Sequence, residues 1–193
     1  MKTKESLLYK IVRPIITIGF KCLYKPKIIG KENIPKDGKI ILAGNHTNNF
    51  DCLLLISSTK RPIHFLAKDE LWKGFKKIIF SNLGLIPVNR RTKDHNALVL
   101  AEQYLLDNKV IGIFPEGTTE KEVGKMLPFK IGAIKMASDT NSMIVPFGIS
   151  GEYKLFSKDL KLCFGEPIEI KNNDLEIEKT RLESLVSELM KGE

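Results

Sequence analysis

The sequence of 193 residues predicts an α/β fold, a single domain with a largely parallel sheet flanked by helices. From Lys39 onward, short apolar runs typical of buried strands alternate with longer segments of helical periodicity. That alternation is typical of a parallel sheet with helices on both faces. The length suits one domain, and the sequence contains neither an internal repeat nor a low-complexity tract.

The first predicted element is a helix over residues 6–23, or a pair of short helices if Pro14 begins the second. Apolar residues recur on one side and basic residues on the other, a pattern typical of an amphipathic helix at the surface of an anionic membrane. Packing against the chain's own domain is the alternative. No apolar run in it reaches the ~18–20 residues needed to cross a bilayer. The residues predicted to bind the membrane are Lys10, Ile11, Arg13, Ile15 and Ile18.

The rest of the chain is predicted to alternate between strands and helices. The predicted strands are residues 27–29, 39–43, 63–67, 85–89, 110–114, 143–149 and 161–164. The predicted helices are residues 51–59, 74–82, 93–107, 130–140 and 174–191. Because Pro146 lies inside an apolar strand, that strand is predicted to lie at a sheet edge or to contain a bulge.

The net charge of +8 is concentrated at the amino end, where residues 1–30 hold seven basic residues and one acidic residue. Such an excess suits an anionic lipid surface, an acidic protein or nucleic acid. Nucleic-acid binding is disfavoured because the aromatic residues lie mostly within apolar strands, not among the basic residues. The three cysteines and three histidines lack metal-ligand spacing, which argues against a disulfide framework and against a metal site.

A polar turn over residues 44–51 separates two apolar segments and contains His46 and Asp51. Five residues of regular helix rotate a side chain by about 140°, so the two side chains can meet only if Asp51 begins the next helix and His46 precedes it. Asp51 can then accept a hydrogen bond from one ring nitrogen of His46, leaving the other to take a proton from a hydroxyl. The alternative is a capping or core histidine beside a residue that begins a helix.

Two further predicted strands end in polar residues. The predicted strand over residues 85–89 is followed by Arg90 and Arg91, and an arginine there can bind a phosphate or a carboxylate through two hydrogen bonds. The other ends in a Pro-Glu-Gly-Thr turn, in which Gly117 permits a positive φ and Thr118 can hydrogen-bond a hydroxyl or an anion. Glu116 is either a ligand-binding carboxylate or a turn residue satisfied by neighbouring amides.

These stretches, in this order and with these gaps, resemble the glycerolipid acyltransferase family. The family pattern is Asn-His-x4-Asp, Gly-x-Ile-x-Val-x-Arg, Phe-Pro-Glu-Gly-Thr and an Ile-Val-Pro-Val-like strand. The matching segments here are residues 45–51, 84–90, 114–118 and 144–147. Each motif alone is weak, whereas the ordered set, which covers roughly residues 28–150, is specific.

The resemblance implies a glycerol-3-phosphate acyltransferase-like fold and an enzyme that uses no cofactor. It implies acyl transfer from a thioester of acyl carrier protein or coenzyme A to the free hydroxyl of 1-acyl-glycerol-3-phosphate, giving phosphatidate. His46 would be the general base and Asp51 the residue that orients it. The enzyme is expected on the cytoplasmic side of the cell membrane, peripheral or monotopic, with residues 1–26 as the membrane contact and residues 27–193 as the acyltransferase domain. The implied substrate-binding residues are Arg90, Glu116, Gly117, Thr118 and Lys130.

The chain departs from the family pattern at two positions. Asn48 replaces a serine that is common two places after the histidine, which is expected to change only the helix cap. Thr119 stands where an arginine commonly follows Glu-Gly-Thr, and the resemblance gives that arginine a part in holding the acceptor phosphate. Its absence points to another lysophospholipid or a hydroxy-acyl lipid as acceptor, or to a charge supplied by Arg90, Arg91, Lys121, Lys125 or Lys130. A catalytically inactive lipid-binding relative is disfavoured by the intact His46 and Asp51.

Overall fold

The computed structural model describes residues 7–71, 80–81, 83–89, 95–120, 122 and 124–192, and the elements below lie within those ranges. The strands are β1 (Lys27–Ile29), β2 (Ile40–Gly44), β3 (Ile63–Lys68), β4 (Ile86–Val88), β5 (Val110–Ile113), β6 (Met143–Ser150) and β7 (Lys161–Phe164). The α-helices are α1 (Leu7–Leu23), α2 (Asp51–Ser58), α3 (His95–Leu106), α4 (Gly132–Thr140) and α5 (Leu175–Lys191). Single 3₁₀ turns occupy Lys31–Asn33 and Asp69–Leu71.

The seven strands form one sheet in the order β1-β7-β6-β2-β5-β3-β4. All the strands from β6 to β4 are parallel, whereas β7 runs antiparallel to β6, and β1 is parallel to β7. The predicted largely parallel sheet is therefore confirmed. Since β5, β2 and β6 are adjacent and parallel, their carboxyl ends meet at one edge, where ligand sites of α/β sheets are commonly built.

The core has two halves, one on each face of the sheet. All five residues of β2 are buried, and they alternate between the faces as the period of a strand requires. Ile40 and Leu42 pack in the half that includes residues of α1 and α2, and Ile41 and Ala43 pack in the half that includes residues of α3, α4 and α5. Each fully buried aliphatic side chain contributes about 1.5–3 kcal/mol. The prediction of helices on both faces is confirmed.

The predicted strands match the observed strands to within two residues at either end, and one expectation about them needs correction. β6 contains Pro146 but is an interior strand, paired with β2 on one side and β7 on the other, so the predicted edge position is wrong. Around the proline, the four residues 144–147 of β6 face the five residues 164–168. The extra residue in the facing segment is typical of a β-bulge. The bulged segment needs no amide hydrogen from Pro146, whose carbonyl still accepts the Gly165 amide at 2.9 Å. The predicted helix over residues 74–82 lies outside the described residues, apart from residues 80 and 81.

Helix α1 is continuous, so the alternative of two short helices divided at Pro14 is wrong. Its inner face contributes Tyr9 and Phe20 to the core. Arg13 is half-buried, and its Nε donates to the Thr59 carbonyl at 2.7 Å, which ties α1 to the end of α2. Packing against the chain's own domain, the alternative posed for this helix, is thus part of the structure.

A second face of α1 is apolar and points to solvent. The residues of this isoleucine stripe are Ile11, Ile15 and Ile18, which are 54%, 65% and 63% exposed. Three isoleucines at this exposure on one helix lack the burial that such side chains normally obtain. None of the helices in the described part of the chain is long and apolar enough to cross a membrane.

Candidate active site

Three turns follow the carboxyl ends of β2, β5 and β6 and lie together at one edge of the sheet. The turn after β2 contains His46 and leads directly into α2, whose first residue is Asp51. His46 Nδ1 lies 2.9 Å from Asp51 Oδ2, so the predicted contact between these side chains is confirmed. A carboxylate can only accept, so Nδ1 carries the proton and donates it, and Nε2 of the neutral imidazole keeps its lone pair.

The Asp51 carboxylate is fully buried and is held by four further donors. Oδ2 accepts the backbone amides of Thr47 at 2.7 Å and Asn48 at 2.9 Å. Oδ1 accepts the hydroxyls of Thr47 at 3.2 Å and Tyr153 at 2.5 Å. Burial of a carboxylate is costly unless hydrogen bonds compensate it, and this network does so while fixing the carboxylate against His46. Asn48 does not cap α2; its side chain accepts the Phe50 amide within the turn.

Tyr153 is a part of the site that the sequence did not reveal. It lies 102 residues from Asp51, in the loop after β6 and outside the recognised motifs. Burial, with the Asp51 carboxylate beside it, raises the pKa of the Tyr153 phenol well above its ordinary value, so the hydroxyl stays protonated and donates. Its ring packs against Phe20, Tyr24 and Phe50 at centroid distances of 5.6–6.4 Å, which connects α1 to the Asp51 carboxylate.

The His46 ring is fixed on its other sides by apolar packing and by the preceding residue. The Phe114 ring stacks on it with centroids 4.0 Å apart and planes 17° apart. Asn45, fully buried, exchanges two hydrogen bonds with the backbone of Ile149 in β6, at 2.9 and 2.7 Å. Gly44, the last residue of β2, must be glycine because a Cβ there would overlap the carbonyl of Phe147 in β6. Rigid strands on both sides thus set the direction of the His46 turn.

Glu116 supports the same turn from β5. Its carboxylate is buried, with Oε1 accepting the His46 amide at 2.7 Å and Oε2 accepting the Leu127 amide at 2.8 Å. Of the two alternatives for Glu116, the structure shows the turn residue satisfied by neighbouring amides. Burial raises the pKa of Glu116, and the two amide hydrogen bonds oppose this. Its position suits holding the His46 turn in place better than binding a ligand.

Comparison with known proteins identifies the family. The acyltransferase family profile matches residues 25–150. The 1-acyl-sn-glycerol-3-phosphate acyltransferase of Borreliella burgdorferi is 34% identical over 169 residues, which cover 82% of this chain and 67% of that protein. The chain belongs to the acyltransferase family. The enzyme of the same name from Bacillus subtilis is 33% identical over 150 residues, covering 74% of the acyltransferase described here and 73% of the relative.

The acyltransferase fold is also seen in a solved structure. The 1-acyl-sn-glycerophosphate (LPA) acyltransferase, PlsC, from Thermotoga maritima superposes with a TM-score of 0.79 over 95% of this acyltransferase and 78% of that chain. The sequence identity is 24%, so this likeness supports the fold, including the mixed sheet with helices on both faces.

The predicted substrate-binding residues of the acyltransferase are brought together in part. Gly117 has φ 74°, and Thr118 beside it is exposed. The Lys130 amide donates to the Pro115 carbonyl at 2.9 Å, and a Cβ at Gly117 would lie 2.5 Å from Lys130 Nζ, so this lysine covers the turn. Arg90 lies outside the described residues.

Of the other cations considered for the acceptor phosphate, Lys125 is the one within the described residues. Arg91 and Lys121 lie outside the described residues, and Lys125 is exposed and paired with Glu122 at 2.7 Å. A cavity of about 270 Å³ beside the Thr47 turn is lined by Glu120, Glu122 and Glu152, and none of its described lining residues is basic. The described lining of this cavity therefore does not account for the binding of an anionic acceptor.

The pKa of Glu116 leads to a prediction about stability. Because burial holds the pKa above its ordinary value of 4.5, the folded chain binds this proton more tightly than the unfolded chain does. The contribution of the group to the free energy of unfolding is fully present below pH 4.5 and is lost as the pH rises through the folded-state pKa. We expect the stability of the wild type relative to Glu116→Gln, which cannot titrate, to fall as the pH rises above about 4.5. Urea unfolding of both proteins measures this, and a pH-independent difference would contradict it.

Proposed function

We propose that the chain transfers an acyl group from a thioester of acyl carrier protein or coenzyme A to the free hydroxyl of 1-acyl-glycerol-3-phosphate, giving phosphatidate. The observation that carries the proposal is the hydrogen bond of 2.9 Å between His46 Nδ1 and the buried Asp51 carboxylate. This hydrogen bond leaves His46 Nε2 available as a base, on a ring that Asp51 and the stacked Phe114 hold in place. The family and the names of its relatives supply the reaction class.

In the proposed reaction, His46 is the general base. Nε2 takes the proton of the acceptor hydroxyl as its oxygen attacks the thioester carbonyl carbon. Asp51 stabilises the imidazolium that forms, because its charge lies against Nδ1. The tetrahedral intermediate collapses by breaking the carbon–sulfur bond, and the departing thiolate takes the proton from His46. No nucleophile from the protein and no acyl-enzyme is needed. The Gly117 amide donates to the Phe114 carbonyl at 3.0 Å, so the oxyanion donor must be sought in other groups of this edge.

The acceptor phosphate is proposed to bind Arg90 and Lys130, with Thr118 and the Gly117 backbone beside the glycerol. What supports this is the position of Lys130 over the Pro-Glu-Gly-Thr turn. That turn follows β5, the strand next to β2. An ammonium there makes up for Thr119, which stands in place of an arginine. Glu116 is proposed to act through the His46 turn and not through the substrate.

The enzyme is proposed to work at the cytoplasmic side of the cell membrane as a peripheral or monotopic protein. Residues 1–26 would contact the anionic membrane surface, and residues 27–193 would form the acyltransferase domain. The exposed isoleucine stripe of α1 supports this, since it offers apolar area to lipid while the inner face stays in the core. Lys10 is exposed on the same helix, and Arg13 contributes charge from its half-buried position.

An acceptor panel tests the function directly. The purified enzyme would receive an acyl thioester with lysophosphatidate, lysophosphatidylcholine or monoacylglycerol, and products would be identified by mass spectrometry. We expect phosphatidate as the main product, and Arg90→Ala or Lys130→Ala should raise KM for lysophosphatidate by about tenfold or more, because each removes a charged hydrogen bond. Preferred acylation of monoacylglycerol or lysophosphatidylcholine, with KM unchanged in both variants, would refute the acceptor assignment. That outcome would favour a different acceptor, as Thr119 allows.

A further inference from the structure

A second cavity, of about 630 Å³, lies at the edge of the sheet opposite His46. Its wall is formed by the start of α1 and by the loops that lead into β2, β3 and β5. The five residues of β2 separate the two edges by about 16 Å at 3.3 Å per residue, so this cavity is distinct from the candidate active site. Asp37 is the one acidic residue among its described lining residues. We call it the basic cavity, after its cationic lining residues Lys10, Arg13, Lys36, Lys60, Arg61 and Lys109.

The guanidinium of Arg61 holds the loops of the basic cavity together. Nη1 donates to the Pro35 carbonyl at 3.0 Å, and Nη2 donates to the carbonyls of Asn108 at 2.9 Å and of Gly38. These acceptors are neutral, so the positive charge of Arg61 is not cancelled by them. Burial lowers the pKa of Arg61, the charge of Asp37 opposes this, and a guanidinium stays protonated in proteins. A fixed positive charge therefore stands at the wall of the cavity.

The other cations add to this charge. Arg13 uses Nε to reach the neutral Thr59 carbonyl. Neither Lys36 nor Lys60, both exposed, forms an ion pair with a carboxylate of the described residues. Arg13, Lys36, Lys60 and Arg61 lie around one concave surface with a single acid among its described lining residues, so their charges repel one another, and an anion with several oxygens would relieve that repulsion. The chemistry that fits is a phosphate.

The surroundings of the basic cavity favour a lipid over a soluble phosphate compound as its ligand. Lys10 and Arg13 belong to α1, the helix that carries the exposed isoleucine stripe. A molecule with a phosphate and acyl chains satisfies both features at once, whereas a soluble phosphate leaves the stripe in water. We propose that the basic cavity binds the phosphate of an anionic phospholipid headgroup, with the acyl chains of that lipid beside the isoleucine stripe. This inference rests on the membrane position of α1 in the proposed function.

Vesicle flotation with matched charge variants tests the inference. Wild type, Lys36→Gln/Lys60→Gln and the control Lys135→Gln/Lys171→Gln would be compared on vesicles of phosphatidylcholine with and without phosphatidylglycerol. Lys135 and Lys171 are 57% and 77% exposed and lie outside the basic cavity. Each double variant loses two lysines, so the two have the same net charge. We expect the cavity variant to bind the anionic vesicles about ten- to thirty-fold more weakly, since each lysine near a membrane contributes about fivefold. The control should keep most of the binding.

Two results would overturn the inference. An equal loss in both double variants would show diffuse attraction in place of a site, and no loss in the cavity variant would remove these lysines from lipid binding. Calorimetry with inorganic phosphate and with a short-chain phosphatidylglycerol below its micelle concentration separates the two phosphate sources. We expect only the lipid to bind measurably, and equal affinities would overturn the choice of a lipid. Turnover of lysophosphatidate by the wild type in detergent micelles requires no vesicle, so it tests the proposed reaction separately.

Discussion

Replacing His46 with alanine is expected to lower kcat by about 10²–10⁴-fold, the usual contribution of a positioned general base. The variant loses the hydrogen bond from the ring to Asp51, but that carboxylate keeps its four other donors, and the amide of residue 46 can still donate to Glu116. We therefore expect KM for the acceptor and the melting temperature to change little. Steady-state kinetics with an acyl thioester and lysophosphatidate, beside thermal unfolding, measure both.

The control for this variant is His95→Ala. His95 is exposed at the start of α3 and belongs to none of the four motifs, so its loss should leave kcat within about twofold, as for ordinary surface substitutions. Wild-type kcat in His46→Ala would refute His46 as the base. A lowered kcat accompanied by a much lower melting temperature would instead mean that the Phe114 stack on His46 is mainly structural.

The sequence was sufficient to predict the parts of this protein that depend on neighbouring residues. The strand before the His46 turn and the helix that begins at Asp51 follow from a local change of hydrophobic period, and their junction brings the two side chains within reach. The motif order then indicated that the Glu116 turn belongs to the same site. Parallel pairing of β2 with β5 is the physical reason, since it places both turns at one edge.

What the sequence could not predict depends on contacts between distant segments. Tyr153 reaches Asp51 from the loop after β6, and no local pattern distinguishes this tyrosine from a core aromatic. The sequence left open whether Pro146 marks a sheet edge or a bulge, because the bulge that tolerates the proline lies in the facing segment, not in β6 itself. The charge of the basic cavity was visible only as a net excess, because its residues come from four separate segments that the sheet brings together.

Replacing Asp51 with asparagine is expected to be nearly as damaging to kcat as the loss of His46, at about 10²–10³-fold. The site dictates how the new amide would sit. Its oxygen must face the amides of Thr47 and Asn48, because an NH₂ group there would meet two donors. The NH₂ group then faces the hydroxyls of Thr47 and Tyr153, and both can rotate to accept. The fold therefore survives, at an expected loss of about 1–3 kcal/mol of stability.

The loss of activity in Asp51→Asn follows from the charge, since His46 Nδ1 still finds an oxygen to which it can donate. A neutral carbonyl stabilises the imidazolium far less than a buried carboxylate, so kcat falls while KM for lysophosphatidate stays near the wild-type value. Tyr153→Phe is the matched comparison, because it removes one donor to Oδ1 but keeps the charge. We expect Tyr153→Phe to lose about 1 kcal/mol of stability and less than about tenfold in kcat. If both variants lowered kcat equally, orientation of the carboxylate, and not its charge, would be what Asp51 supplies to His46.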